Sequence, residues 1–224
     1  IRRLRGGPQG VNQNKNNAEL IITEELKTYL QNYKKMILQN FETHEYALMR
    51  DMELATEFQM AYVNRPYPSV PKNPTPNRLK LDFHHCYEPA LALGGDFFEI
   101  YNVSPDVGGV FIADVMGHGA RSALITATLR AMLADLLPQA RNARNVMSEM
   151  NKSFYGLLES VNATHPIFAS AFYFVGDMTA RAATYSTAGH PAPYHISRNK
   201  NVIHRLEVQK PHGSALGISP NEEY

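Results

Sequence analysis

Residues 18–64 contain neither proline nor glycine, while residues 65–76, RPYPSVPKNPTP, contain five prolines. A proline inside a helix removes a backbone donor and clashes with the preceding turn, so the chain must change character at residue 65. Before that point apolar residues recur every three or four positions, at Leu26, Leu30, Tyr33, Ile37, Phe41, Leu48, Met52, Ala55 and Phe58, with His44 in the gap. This spacing lays them along one stripe of a helix. A helix over 18–64 far exceeds the usual globular length and points to a coiled coil or a signalling stalk. The steps are not strict heptads and do not themselves set an oligomeric state. A lone helix would leave the stripe wet, so a homodimer through this helix is expected. Residues 1–17, rich in Gly, Asn and Gln, are expected to be a flexible segment, and 65–77 an extended proline-rich connector that marks a domain boundary.

Residues 78–224 are expected to form one folded domain. Short apolar and aromatic runs at 80–88, 96–101 and 109–114, separated by Gly, Pro and Asp, read as strands. Residues 118–137 and 142–160 read as helices, the second with Val146, Met150, Phe154, Leu157, Leu158 and Val161 as its core face. Runs at 168–177, 181–189, 192–197 and 201–207 read as further strands. Strands, then two helices, then a meander of strands argue for an α+β fold with antiparallel sheets.

Charge and cysteine content narrow the functional classes. Twenty-two Lys and Arg face 21 Asp and Glu, so no broad basic footprint for nucleic acid is expected. The cluster Arg2, Arg3 and Arg5 reads as a solvated end. Cys86 is the single cysteine, which rules out an internal disulfide and suits a cytoplasmic location. No apolar run approaches the roughly 18 residues needed to cross a bilayer. The first residue is Ile rather than Met, and the chain is expected to be a piece of a longer protein.

Two carboxylates stand in unusual places. Asp96 follows Gly94 and Gly95 in LGGDFFEIY, and Asp114 closes an apolar run in ADVMGHGARSA, just before Gly117, His118 and Gly119. If the two segments pair through a turn at 106–109, the carboxylates face each other. Paired carboxylates stay ionised most readily around a cation, and oxygen ligands suit Mg²⁺ or Mn²⁺. Alternatively, each Asp only caps a turn or a helix start. His84, His85 and Cys86 resemble a metal tract only superficially, because in an alternating strand His85 faces away from the other two.

The segments YEPALALGGDFFEIY, ADVMGHGARSALITATLRAML, MNKSFY, FASAFYFVGD, STAGHPAPYHI and GSALGI occur in this order. In order and spacing they resemble the metal-dependent protein phosphatases (the PPM, or type 2C, family). The likeness is greatest to the bacterial branch named for stage II sporulation protein E, which includes phosphatase activators of stress sigma factors. It covers about residues 80–224. DMELATEFQMAYVNRPYP also resembles the helix that links such domains to an upstream sensor or receiver domain.

The resemblance implies a sandwich of two antiparallel β-sheets flanked by helices, with two Mn²⁺ or Mg²⁺ ions at one edge. Asp96 and Asp114 would be the catalytic metal ligands, Val115 would lend its backbone carbonyl, and Gly95, Gly117, His118 and Gly119 would shape the site. The implied activity is that of a serine/threonine phosphoprotein phosphatase in a bacterial signalling pathway. A metal-activated water would attack a phosphorylated regulatory protein such as an anti-sigma-factor antagonist. No covalent intermediate is implied, so Cys86 is expected to be a small buried residue. His118 is expected in a turn or packing role, with an acid role as the alternative, and His190, in AGHPAP, to fix a strand end. Glu99 stands where the family usually has Asp and is not carried over as a ligand. The family takes further metal-binding Asp residues from a later Thr-Asp-Gly type motif. This sequence ends at NEEY before one, and Asp135 and Asp177 lie in other contexts. The domain is therefore expected to be incomplete at its C-terminus. The alternative is a catalytically incomplete phosphatase-fold module that binds a partner and relays a signal through the N-terminal helix.

Overall fold

The computed structural model describes residues 9–89, 92–161, 166–207 and 213–224, which fall into two compact units, Ile1–Asp51 and Met52–Tyr224. Helix α1 spans Gln9–Val63. It therefore begins inside the segment expected to be flexible. Once a helix is nucleated, each further residue adds one hydrogen bond, so the Asn- and Gln-rich stretch simply extends it. In the first unit the predicted stripe lies open to solvent, with exposures from 47% at Ile37 to 69% at Phe41.

The second unit begins with the last turns of α1, earlier than the boundary read from the prolines. The connector is docked on this unit. Val70 forms an antiparallel bridge with Leu81, whose N–H donates to the Val70 carbonyl at 2.8 Å. Val70, Leu81 and Phe83 lie over the side-chain-free surface of Gly108. The strand expected at 80–88 does not form beyond that one bridge. Its alternating apolar residues have found a sheet face to cover and take no place in a ladder. Cys86 is consequently exposed, contrary to the expectation of burial.

The main sheet is antiparallel in the order β1 (Asp96–Ser104), β2 (Val107–Val115), β3 (Ala169–Asp177), β4 (Ala182–Ala188). A second sheet is the hairpin β5 (Tyr194–Ser197) and β6 (Val202–Arg205). The α+β class with antiparallel sheets is thus as expected. Helix α2 (Ala120–Asp135) and helix α3 (Ala143–Ser160) cover one face of the main sheet. That face presents Phe97, Phe111, Ala113, Val115, Ala171, Tyr173 and Val175 to Leu129 and Leu133 of α2 and to Val146, Met147, Met150 and Phe154 of α3. Period-2 alternation along β2 sends Asp114 to the opposite face from Ala113 and Val115. Helix α3 opens on Asn142, whose side chain accepts from the Asn145 N–H at 3.1 Å and satisfies one of the free donors of the first turn. Val161, read as the last residue of its stripe, is exposed just past the helix end.

A buried amide ties α3 to the C-terminal segment. Asn151 is fully buried; its Oδ1 accepts from Gly217 N at 2.9 Å and its Nδ2 donates to Ser219 O at 2.7 Å. Asn151→Ala would strip partners from both backbone groups, and a buried polar group left unpaired costs about 1–3 kcal/mol. Chemical denaturation should accordingly show a loss of about 2 kcal/mol or more, against a near-neutral effect for the exposed neighbour Lys152→Ala.

Candidate functional site

The β1–β2 register places Asp96 directly opposite Asp114, and the β2–β3 register places Asp114 opposite Ser170. Partners in such a row project from the same sheet face. The two carboxylates that the sequence singled out are thus brought together at one end of the hairpin, through a turn at Pro105 and Asp106. Burial, and secondarily the negative charge of Asp114, push the Asp96 carboxyl above its ordinary range, with His190 pulling the other way.

The carbonyls beside the carboxylates explain Gly95. A Cβ built there would stand 2.5 Å from the Val115 carbonyl oxygen and 3.1 Å from that of Gly117. A side chain has no room between these two carbonyls. Val115 N also donates to Gly95 O at 3.0 Å, which locks the crossing. The turn that follows takes its shape from Gly117 at φ +97° and Gly119 at φ +83°, values that L side chains rarely adopt. Gly119 caps α2 without a side chain, and its N–H donates to Leu93 O at 3.2 Å, tying the turn back to the approach to Asp96. His118 is exposed on this turn.

His190 meets the row through Ser170 of β3. Its Nδ1 lies 2.8 Å from Ser170 Oγ, and its N–H donates to Thr187 Oγ1 at 3.2 Å. Burial depresses its pKa, opposed by the charges of Asp114 and then Asp96. It sits just past the end of β4, the strand-end position read from its sequence context. Ser170 was not singled out. The alternation in FASAFY would have put it on the face of Asp114, but only with the register known.

Three other acidic residues lie elsewhere. Glu99 pairs with Arg130 of α2 and, at 3.5 Å, with Arg65. Asp177 accepts from the N–H groups of Thr179 and Ala180, both at 2.9 Å, and caps the turn after β3. Asp135 ends α2. Among the described residues, no group of three or more His, Cys, Asp or Glu is gathered tightly enough to hold a metal. The oxygens available at the hairpin end are the register-paired Asp96 and Asp114 carboxylates and, close to Gly95, the carbonyls of Val115 and Gly117. This all-oxygen set fits a hard divalent cation in kind, with water completing the coordination.

The domain is α+β with antiparallel sheets and carries register-paired carboxylates beside a glycine turn. Residues 105–224, more than half of the chain, match the family model Stage II sporulation protein E (SpoIIE), and the chain belongs to that family. Among curated relatives, phosphoserine phosphatase RsbP of Bacillus subtilis is 29% identical over 143 residues, covering 63% of this chain and 33% of that protein. Phosphoserine phosphatase RsbU of the same organism is 26% identical over 149 residues, covering 66% of this chain and 42% of that protein. The chain thus spans less than half the length of these relatives. The SiaA-PP2C domain of Pseudomonas aeruginosa shares the fold, with a TM-score of 0.50 at 19% identity over 60% of this chain and 51% of that one.

Gly95→Ala tests the crossing. Forcing a methyl against the Val115 carbonyl should cost about 1–3 kcal/mol, the usual range for overpacking, and lower the thermal midpoint. Gly156→Ala, in the open middle of α3, should leave the midpoint unchanged or raise it.

Proposed function

We propose that the chain carries the phosphatase domain of a signalling protein, a serine/threonine phosphoprotein phosphatase dependent on Mn²⁺ or Mg²⁺. The observation that carries this reading is the register pairing of Asp96 with Asp114 beside the Val115 carbonyl, in a chain of the SpoIIE family. Asp96 and Asp114 would hold the ions, with Val115 lending its carbonyl. Bound divalent cations would neutralise phosphoryl oxygens and make water a nucleophile at neutral pH. The protein's own contribution is positional. Gly95 lets the Val115 and Gly117 carbonyls come close against the strand that carries Asp96, the turn through Gly117 and Gly119 leaves space for a phosphate to approach, and Ser170 holds the His190 ring. The names of the relatives, phosphoserine phosphatases, support a phosphoserine as substrate; the resemblance to the family extends the reading to a regulatory protein, such as an antagonist of an anti-sigma factor. An upstream sensor or receiver domain, a cytoplasmic setting and no nucleic-acid partner complete the reading. None of the described helices is long and apolar enough to cross a membrane.

A second reading is a catalytically incomplete module that binds a phosphoprotein and relays a signal. It is favoured by the lack, among the described residues, of any group of three or more His, Cys, Asp or Glu gathered closely enough to hold a metal.

Asp114→Asn separates the two. The raised pKa of Asp96 means that its carboxyl holds a proton more tightly folded than unfolded. Its ionisation therefore opposes folding at neutral pH, and the opposition fades as pH falls through the elevated value. Without metal, Asp114→Asn should melt at or above the parent's midpoint at pH 7, with the gap closing in acid. With Mn²⁺ the order should reverse, because only the parent gains midpoint from the ion. Mn²⁺-dependent turnover should vanish in the variant. A parent that gains neither midpoint nor turnover from Mn²⁺ would support the incomplete module.

The open stripe of α1 supports self-association as a homodimer. Leu30→Glu with Ile37→Glu places charges in that stripe, and sedimentation of the intact chain should shift from dimer to monomer. A parent that is monomeric at high concentration removes the dimer from this reading.

A further inference from the structure

The backbone leading into Asp96 is held from several directions. The Ala92 carbonyl accepts from Thr56 Oγ1 at 3.0 Å, that of Leu93 from Gly119 N at 3.2 Å, and that of Gly94 from Gln59 Nε2 at 3.0 Å. The Gly95 carbonyl accepts from Val115 N at 3.0 Å and that of Asp96 from the Tyr87 hydroxyl at 3.2 Å. Five consecutive carbonyls thus have partners on α1, the Gly119 turn, β2 and the segment before β1. The bonds from Val115 and Gly119 are backbone bonds that come with the hairpin and its turn. The Thr56 proton is shared, since the Met52 carbonyl lies closer, at 2.7 Å.

Gln59 is different in kind. Its Oε1 accepts from Gly94 N at 3.0 Å while its Nε2 donates to Gly94 O, so one primary amide closes both polar groups of one residue. The need for such a hold follows from the sequence. Gly95 must lack a side chain because of the Val115 carbonyl, and a Cβ on Gly94 would stand 2.7 Å from the Tyr87 hydroxyl. Two successive glycines bring no side chain of their own to pack, and glycine loses more backbone freedom on ordering than any other residue. The order must be imposed from outside. Gln59 supplies it from α1, two residues before the carboxylate.

We propose that Gln59 is a positioning residue for Asp96. Its two-point hold on Gly94 fixes the Gly-Gly turn that delivers the Asp96 carboxylate opposite Asp114, and so couples the end of α1 to the site. The consequence for metal rests on the phosphatase reading above; the hold on the turn does not. Gln59→Met in the intact chain keeps side-chain length and removes both bonds, and Glu57→Gln, an exposed change on the same helix, is the control. In the metal-free protein, amide hydrogen exchange at Gly94 should quicken about tenfold, the scale of one to two neutral hydrogen bonds. Mn²⁺ affinity by calorimetry should weaken by about the same factor. Turnover of p-nitrophenyl phosphate should fall in kcat with KM little changed. Gln59→Glu keeps an acceptor for the Gly94 N–H and should recover part of the protection. Parent-like exchange at Gly94 and parent-like Mn²⁺ affinity in Gln59→Met would overturn the proposal. Asp114→Asn is measured alongside. If it binds Mn²⁺ as the parent does, or the parent takes up none, the metal reading fails, and exchange at Gly94 and Asp96 alone decides the role of Gln59.

Discussion

The crossing of Gly95 and Val115 is the constraint on which the rest of the site depends. Two backbone segments approach so closely there that no Cβ fits, and the hydrogen bond between them sets the register of the β1–β2 hairpin at its open end. A slip of one residue would send Asp96 or Asp114 to the helix-covered face. A carboxylate buried among Phe111, Leu129 and Met150 would be strongly disfavoured. The core therefore enforces the same register that the site requires: Phe97, Ala113 and Val115 point inward only if Asp96 and Asp114 point outward together.

Electrostatics and packing pull in opposite directions at this place. The sheet brings two negative groups side by side, and burial, followed by the charge of Asp114, makes Asp96 hold its proton more tightly. The hydrogen bonds that hold the turn are neutral and mostly to backbone. They keep the geometry whether or not the charges are compensated. Burial works against protonation of His190, whereas the two carboxylates favour it, so the ring registers both the packing and the charge of the site.

Much of this was legible in the sequence, for identifiable reasons. The six strands of the described residues lie within a few residues of the runs that suggested them, because Gly, Pro, Asp or Asn stands in the turns that separate most of them. Asp96 and Asp114 stood out because an acid at the end of an apolar run is costly unless it has a task. The segment 80–88 misled, since LKLDFHHCY alternates like a strand, yet Leu81 and Phe83 cover bare glycine surface and never join the ladder. Glu99 pairs with arginines on the inner face, where only the fold could place it. Ser170 and Gln59 were invisible for a related reason. Ser170 acquires its neighbours from strand register, and Gln59 bonds a backbone 35 residues away in sequence. Neither relation leaves a local pattern.

The docked connector has a consequence for strand register. Gly108 and Gly176 are direct partners across β2 and β3, and Leu81 lies against both. Together they make a smooth notch two strands wide. Were β3 displaced by one residue, Val175 or Asp177 would stand beside Gly108 and the notch would be filled. The connector can seat only on a correctly paired sheet, so the stability its docking adds goes to the native register and to no slipped one. A segment rich in proline is unsuited to entering a ladder itself and is well matched to covering that notch.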